Sequence, residues 1–149
     1  MKTVLKILFA VTLLISVKSF AQINIQNVED AKNLVSHKSE FIGKPLSYLL
    51  QNIQLEIKSV LAAPNKDVNQ INTLYLRFVD IDTYLKTRSK EMDDRPTQIV
   101  ITFDQNWAMD GDVCKYNGIS DINCVNWTKN DENNLGRLII YDIRVIGKN

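Results

Sequence analysis

The chain has little of several residue types on which common protein functions depend. It holds one histidine, His37, and two cysteines in 149 residues. A structural zinc site needs about four Cys or His ligands, and a Ser–His–acid triad needs a histidine base beside the nucleophile. A single histidine, with no GxSxG-type turn in the sequence, supplies neither arrangement. We therefore expect no zinc site and no nucleophilic triad.

Glycine and excess positive charge are also scarce. The five glycines are scattered and form neither a GxGxxG fingerprint nor a phosphate-binding loop. The whole chain has a formal net charge of +1, whereas nucleic-acid-binding domains usually carry a basic face. We therefore expect no cofactor and no nucleic-acid partner.

The longest apolar run lies at the N-terminus, in MKTVLKILFAVTLLISVKSFAQ, and has the layout of a secretory signal peptide. Two lysines precede the apolar core of residues 7–17, and Ser19 and Ala21 are small residues at positions −3 and −1 before Gln22. The core is shorter than the roughly 20 residues that a bilayer span needs. We predict cleavage near Ala21–Gln22, a bacterial periplasmic or secreted location, and no integral membrane segment in the mature chain.

Cleavage at that bond divides the chain into a signal peptide, residues 1–21, and a mature protein, residues 22–149. The mature part has 128 residues, which is the size of one ordinary domain. It keeps 15 basic and 17 acidic residues, and its net charge is −2. We therefore predict a single, weakly acidic domain.

Apolar spacing predicts two helices followed by four strands in the mature chain. Asn27 and Asp30 have the spacing of an N-cap and an acidic first turn, and apolar residues then recur at helical intervals, which predicts a helix over 28–38. Pro45 marks the first turn of a second helix. Apolar and polar residues then alternate, which predicts strands at 54–63, 71–81, 97–104 and 137–147.

The connections between these strands favour an α+β fold. No long helix separates consecutive strands, and parallel pairing needs a crossover of about a dozen residues or more. We predict a four-stranded, mainly antiparallel sheet with the N-terminal helices packed on one face. In the last strand, Ile139, Tyr141, Ile143 and Val145 are expected to share a face. An all-β, sandwich-like domain is the alternative.

Segment 104–136 joins the last two predicted strands and is far longer than a hairpin loop, as functional loops often are. It contains both cysteines, Cys114 and Cys124, which lie ten positions apart. A thioredoxin-type redox pair would be separated by two residues at a helix start. In an exported protein, an even number of cysteines favours a disulfide. We predict a long, disulfide-stapled loop before the last strand.

This loop combines aromatic and acidic side chains, as protein-binding and sugar-binding surfaces often do. The alternative is that the tryptophans fold inward and form a small core under the loop. The candidate binding surface comprises Trp107, Tyr116, Trp127, Asp110 and Asp112.

Carboxylates supply two weaker candidates. Asp104, Asp110 and Asp112 are weak calcium candidates, but their spacing is not that of an EF-hand, and Asp is common in ordinary turns. We therefore predict no metal site. Asp80 and Asp82 lie two positions apart near a strand end, where they could face one way and act as an acid–base pair. No other catalytic residue accompanies them in the sequence.

These observations predict a small exported domain that binds a protein partner through the loop of residues 104–136. Two other classes stay open: a carboxylate-dependent enzyme that uses Asp80, Asp82 and Asp104, and a glycan or small-ligand binder that uses the loop aromatics. The enzyme requires carboxylates that converge in a cleft. The glycan binder requires an exposed aromatic platform.

Overall fold

The computed structural model describes residues 23–64, 70–108 and 127–148. A four-stranded sheet lies at its centre, and every neighbouring pair of strands is antiparallel. The strands follow one another across the sheet in chain order: β1 is Ser59–Pro64, β2 is Gln70–Arg77, β3 is Gln98–Ala108 and β4 is Ile140–Ile146.

Short helices surround this sheet, so the domain is α+β, as the alternating pattern predicted. Two of them, α4 and α5, lie between strands: the sequence pattern instead extended the second strand to residue 81 and predicted a loop over 104–136. The helices are α1 Val28–Ala31, α2 Asn33–His37, α3 Leu46–Leu50, α4 Ile81–Leu85 and α5 Lys129–Leu135, and 3₁₀ turns cover Lys38–Glu40 and Met92–Asp94.

The first helix begins where the cap spacing predicted. The Asn27 side chain accepts a hydrogen bond from the Asp30 N–H at 3.0 Å, and the Asp30 carboxylate accepts one from the Asn27 N–H at 3.1 Å. This reciprocal capping box satisfies two N–H groups that a helix start otherwise leaves without partners. The predicted helix over 28–38 corresponds to α1 and α2, which meet at Lys32.

The first strand begins later than the predicted residue 54. Ile53, Leu55 and Ile57 do pack against the core, as their alternation predicted. However, β2 ends at Arg77, whose partner in β1 is Ser59. Residues 54–57 therefore have no stretch of β2 to pair with; the Lys58 N–H donates to the Arg77 carbonyl at 2.9 Å, and the ladder starts at Ser59.

One hydrophobic core fills the space between the sheet and the helices α1, α2, α3 and α5. Alternate residues of β2 and β3 enter it from the sheet, as the period of two predicted. Replacing one such leucine or isoleucine by alanine typically costs about 2–5 kcal/mol. The fully or almost fully buried members include Ile25, Ala31, Leu34, Phe41, Leu46, Leu49, Leu74, Leu76, Ile99, Ile101, Ile140 and Ile143.

The last strand departs from its predicted pattern at Tyr141. Thr102 pairs with Asp142 whereas Phe103 pairs with Ile140, so Tyr141 is an extra residue in β4. Such a β-bulge reverses the alternation at that point. Tyr141 is therefore 63% exposed and Ile140 is buried. The prediction that Tyr141 shares the face of Ile143 was wrong for this reason.

Candidate functional site

The predicted recognition region lies at the end of the sheet where β3 leads into segment 109–126. The pairing of β3 with β2 is interrupted there. Between the pairs Thr73–Thr102 and Ile71–Trp107, β3 has four residues, 103–106, whereas β2 has only one. Asp104, Gln105 and Asn106 are exposed on this stretch. Residues 104–106 therefore project polar groups from the rim of the sheet.

The same stretch of β3 is fixed against the start of β4. The Asp104 N–H donates to the Ile139 carbonyl at 3.0 Å. The Ile139 N–H in turn donates to the Gln105 side-chain oxygen at 2.8 Å. These two hydrogen bonds fix residues 104 and 105, which precede segment 109–126, against Ile139.

The C-terminal end of that segment is held by α5. Thr128 and Asp131 form a capping box, in which the Asp131 carboxylate accepts from the Thr128 N–H at 2.8 Å. Trp127 is partly buried and packs against the core, and Leu135 is buried. Segment 109–126 is thus preceded by β3 and followed by Trp127 and the capped start of α5.

The predicted site residues fall partly outside these elements. Tyr116, Asp110, Asp112, Cys114 and Cys124 lie outside the described residues, and so does the predicted disulfide. For Trp107, only the backbone is described, and it pairs with Ile71 in the sheet. Trp127 contacts the core with part of its side chain and keeps the rest at the surface.

The candidate catalytic carboxylates do not converge. Asp80 caps α4: its carboxylate accepts from the Thr83 N–H at 2.7 Å and from the Thr83 hydroxyl at 2.9 Å. These bonds lower the pKa of Asp80 below its ordinary value, which is opposite to the shift that a general acid needs. Asp104 is distant from Asp80 in the sheet. Gln98 pairs with Arg77, three residues before Asp80, whereas Asp104 lies six residues, or roughly 20 Å, farther along β3.

No metal centre forms in the described ranges. Within residues 23–64, 70–108 and 127–148, no group of three or more His, Cys, Asp or Glu side chains could hold a metal ion. His37 lies at the end of α2 and is exposed. Its Nδ1 instead lies 3.0 Å from the Asn33 carbonyl.

A buried polar cluster that the sequence did not single out lies on the face of the sheet opposite the main core. Arg77 is 3% exposed and Gln98 is fully buried. The Arg77 Nε donates to the Gln98 Oε1 at 3.1 Å, and the Gln98 Nε2 donates to the Tyr84 hydroxyl at 3.1 Å. The Arg77 guanidinium lies 3.7 Å from the centre of the Tyr84 ring. This cluster attaches α4 to the sheet.

The positive charge of Arg77 is stabilised by neutral groups, the Gln98 side-chain oxygen and the Tyr84 ring, and not by a carboxylate of the described residues. In the part of the chain that the structure describes, no carboxylate oxygen lies within 4.0 Å of Arg77. Burial lowers the pKa of Arg77 below its ordinary value. Burial alone would raise the pKa of Tyr84, but its hydrogen bonds to Arg95 and Gln98 and the positive charge of Arg77 lower it overall.

A separate cleft of about 540 Å³ opens between α1, the end of β2 and the C-terminal segment. Its charged rim groups are paired, Glu29 with Lys32 and Lys148 with Asp94. The cleft therefore presents mainly apolar surface and no catalytic group. It is lined by Asn27, Val28, Glu29, Phe78, Val79, Pro96, Thr97 and Lys148.

Comparison with protein-family models, curated proteins and solved structures gives no significant match. Function must therefore be inferred from the chain's own residues. Among the helices of the described ranges, none is long and apolar enough to cross a bilayer.

Proposed function

We propose that the protein is a small exported domain, bacterial and periplasmic or secreted, that binds a protein partner through segment 104–136, here called the recognition loop. One observation carries the proposal: β3 and α5 fix both ends of segment 109–126 and keep polar groups exposed at its base. A long segment with rigid ends suits recognition, because a rigid scaffold lowers the entropic cost of binding.

The Cys114–Cys124 disulfide belongs to this proposal. The exported compartment that the signal peptide implies is oxidising, and two cysteines can form one bridge. Closing so small a ring contributes roughly 3 kcal/mol in the loop-entropy model. The bridge would restrict the conformations of the recognition loop before the partner binds.

Charge indicates which kind of protein surface the recognition loop fits. Residues 104–136 contain six acids and two bases, so their net charge is −4, whereas the rest of the mature chain has a net charge of +2. A loop of this charge is attracted to a basic surface and repelled by an acidic one. We therefore propose a partner with a basic docking face.

The test replaces residues 109–126 by a short Gly/Ser linker and leaves both anchors intact. Replacing all of 104–136 would also remove the end of β3 and the buried Leu135. The intact protein and the linker variant are used to capture proteins from the native envelope fraction. We expect the intact protein, but not the linker variant, to recover the partner. Recovery should fall as added salt screens the charge of the recognition loop.

A second variant, with Cys114→Ser and Cys124→Ser, serves as the control for the disulfide. It changes only the two cysteines of the loop and so removes the bridge, and its binding should be weaker than wild type without being lost. Equal recovery of the same proteins by the intact protein and the linker variant would refute the proposal. So would binding that does not depend on salt.

A further inference from the structure

We propose that a patch formed by Tyr141, Ile42 and Val35, here called the Tyr141 patch, is a second part of the surface that holds the partner of the recognition loop. This inference rests on the proposed function. The three residues are 63%, 37% and 49% exposed, and exposed apolar residues indicate an interaction site where they lie together. The occupant we propose is the same protein, with a basic docking face and an apolar pocket that accepts a phenol ring.

The position of Tyr141 follows from the bulge in β4. Without the extra residue, regular alternation would turn the Tyr141 side chain toward the core face, where Ile143 lies. The bulge instead exposes Tyr141 and places Ile140 in the core. Bulges that redirect a side chain are common at sheet edges and beside functional sites. Tyrosine, moreover, is among the residues enriched at interface centres.

Ile42 and Val35 belong to segments that lie beside the same edge of β4, since residues 43 and 44 bond to Ile140 and helix α2 contacts the strand. The Gly43 N–H donates to the Ile140 carbonyl at 2.8 Å, which places residue 42 next to the start of β4. Lys38 forms an ion pair with Asp142 at 2.8 Å. Val35 precedes Lys38 by one helical turn, so the two residues are neighbours on the helix surface.

The Tyr141 patch is continuous with the base of the recognition loop. Tyr141 is two residues from Ile139, whose N–H and carbonyl bind Gln105 and Asp104. A protein that contacts the exposed residues 104–106 would reach Tyr141 across about two strand residues, or roughly 7 Å. One partner of ordinary interface size covers such a distance.

Charge argues for a different protein rather than a second copy of this chain. A twofold dimer through the Tyr141 patch would place two copies of the exposed Asp104 at one interface, because Asp104 is bonded to Ile139, two residues from Tyr141. Like charges at one interface oppose association. A basic partner gains from the same charge, and the Lys38–Asp142 pair within the patch adds no net charge of its own.

The experiment places a photoreactive benzoylphenylalanine at position 141, 116 or 92 of the full chain, in the cells that naturally produce the protein. Position 116 probes the recognition loop. Met92 is the matched control, since it is a 45% exposed apolar side chain in the turn beside Gln98, at the far end of β3. We expect the same basic protein to cross-link from positions 141 and 116, but not from position 92.

The affinity of that protein is then measured. Tyr141→Ala should weaken binding about tenfold or more, as truncating an interface aromatic commonly does, while Met92→Ala should stay within about twofold. Circular dichroism would verify that each variant is folded, and Tyr141→Phe, which keeps the ring, should bind nearly as wild type.

Failure of this inference and failure of the proposed function give different results. A cross-link from position 116 without one from position 141 overturns the Tyr141 patch and leaves the recognition loop in place. A cross-link from position 141 to a second copy of the chain overturns the proposed occupant. If positions 116 and 141 give no more cross-linked product than position 92, both proposals fail.

Discussion

Arg77 is the residue whose surroundings the sequence revealed least. A charged side chain at an alternating strand position is usually assigned to a solvated face, yet Arg77 is buried beneath α4. A buried charge loses its hydration, and several kcal/mol must be recovered from neighbouring groups. Here Tyr84 supplies a π face and Gln98 supplies an acceptor. Arginine suits such a site because its guanidinium is flat and weakly hydrated.

The first prediction concerns the acceptor in that cluster. Gln98→Leu should lower the free energy of unfolding by roughly 2–3 kcal/mol, because the charged Arg77 loses its hydrogen-bond acceptor while it stays buried. Tyr84→Phe is the control, since it removes one hydroxyl and keeps the ring over the guanidinium. It should cost about 1 kcal/mol. Urea unfolding would measure both, and a Gln98→Leu effect no larger than that of Tyr84→Phe would contradict the assignment.

At the scale of single elements, short helices were the features most easily missed. α4 has five residues and α5 has seven, which is too few for a clear helical period. Their caps are nevertheless present in the sequence, as Asp80 before Thr83 and Thr128 before Asp131. The pair Asp80 and Asp82 was interpreted as a possible acid–base pair, whereas Asp80 starts a helix.

The second prediction tests that cap through its pH dependence. Asp80→Ala should destabilise the protein at neutral pH, because the Thr83 N–H loses its acceptor, and Asp80→Asn should retain most of the cap. The folded-state pKa of Asp80 lies below its unfolded value, so the ionised carboxylate stabilises the fold above the unfolded pKa. That contribution disappears as the pH falls through the lower, folded-state pKa.

The measurement compares unfolding of wild type and both variants from neutral to acidic pH. The stability difference between wild type and Asp80→Asn should shrink as the pH drops. A difference that stays constant over this range would mean that the charge of Asp80 contributes nothing and that only its shape matters.

At the scale of the whole molecule, the first described residues are part of the core. Ile25 is fully buried, its N–H donates to the Asn52 carbonyl at 2.8 Å, and its carbonyl accepts from the Gln54 N–H at 2.9 Å. It also forms a parallel bridge with Ile53. The chain thus enters the core only three residues after the predicted N-terminal Gln22.

The third prediction follows from this burial. Ile25→Ala should lower the free energy of unfolding by about 2–5 kcal/mol, since it opens a cavity in a closed core. Asn24→Ala is the matched control at the neighbouring exposed position and should change stability by less than about 0.5 kcal/mol. Urea unfolding of the mature protein measures both. Similar values for the two variants would show that the N-terminal segment does not hold the core together.

The fourth prediction concerns the whole domain and the proposed disulfide. Cys114→Ser should leave the sheet folded, because the described residues of α1, α2, α3, α5, β2, β3 and β4 already form one buried core. It should increase hydrogen exchange and proteolysis within 104–136, where the bridge would restrict the chain. Global unfolding of this variant at room temperature would instead assign the bridge to the core.

Features that depend on neighbours in sequence could be predicted from the chain alone. The α1 cap, the inward alternation of Leu74 and Leu76, and the antiparallel pairing of four strands rest on short-range spacing, and the structure confirmed them. The signal peptide, the disulfide and the recognition loop rest on sequence patterns and remain predictions.

Features that depend on which segments meet were decided only by the tertiary structure. Tyr141 is exposed because β3 has one residue fewer than β4 at that step of the ladder, and no local pattern encodes that difference. Arg77 is buried because α4 folds back over its strand, and β1 begins at Ser59 because β2 ends opposite it. In each case the side chain's environment is set by a partner distant in sequence. The sequence by itself therefore determined the first helix, the four strands and the class of fold, whereas packing determined the short helices between strands, the strand ends and which side chains reach the surface.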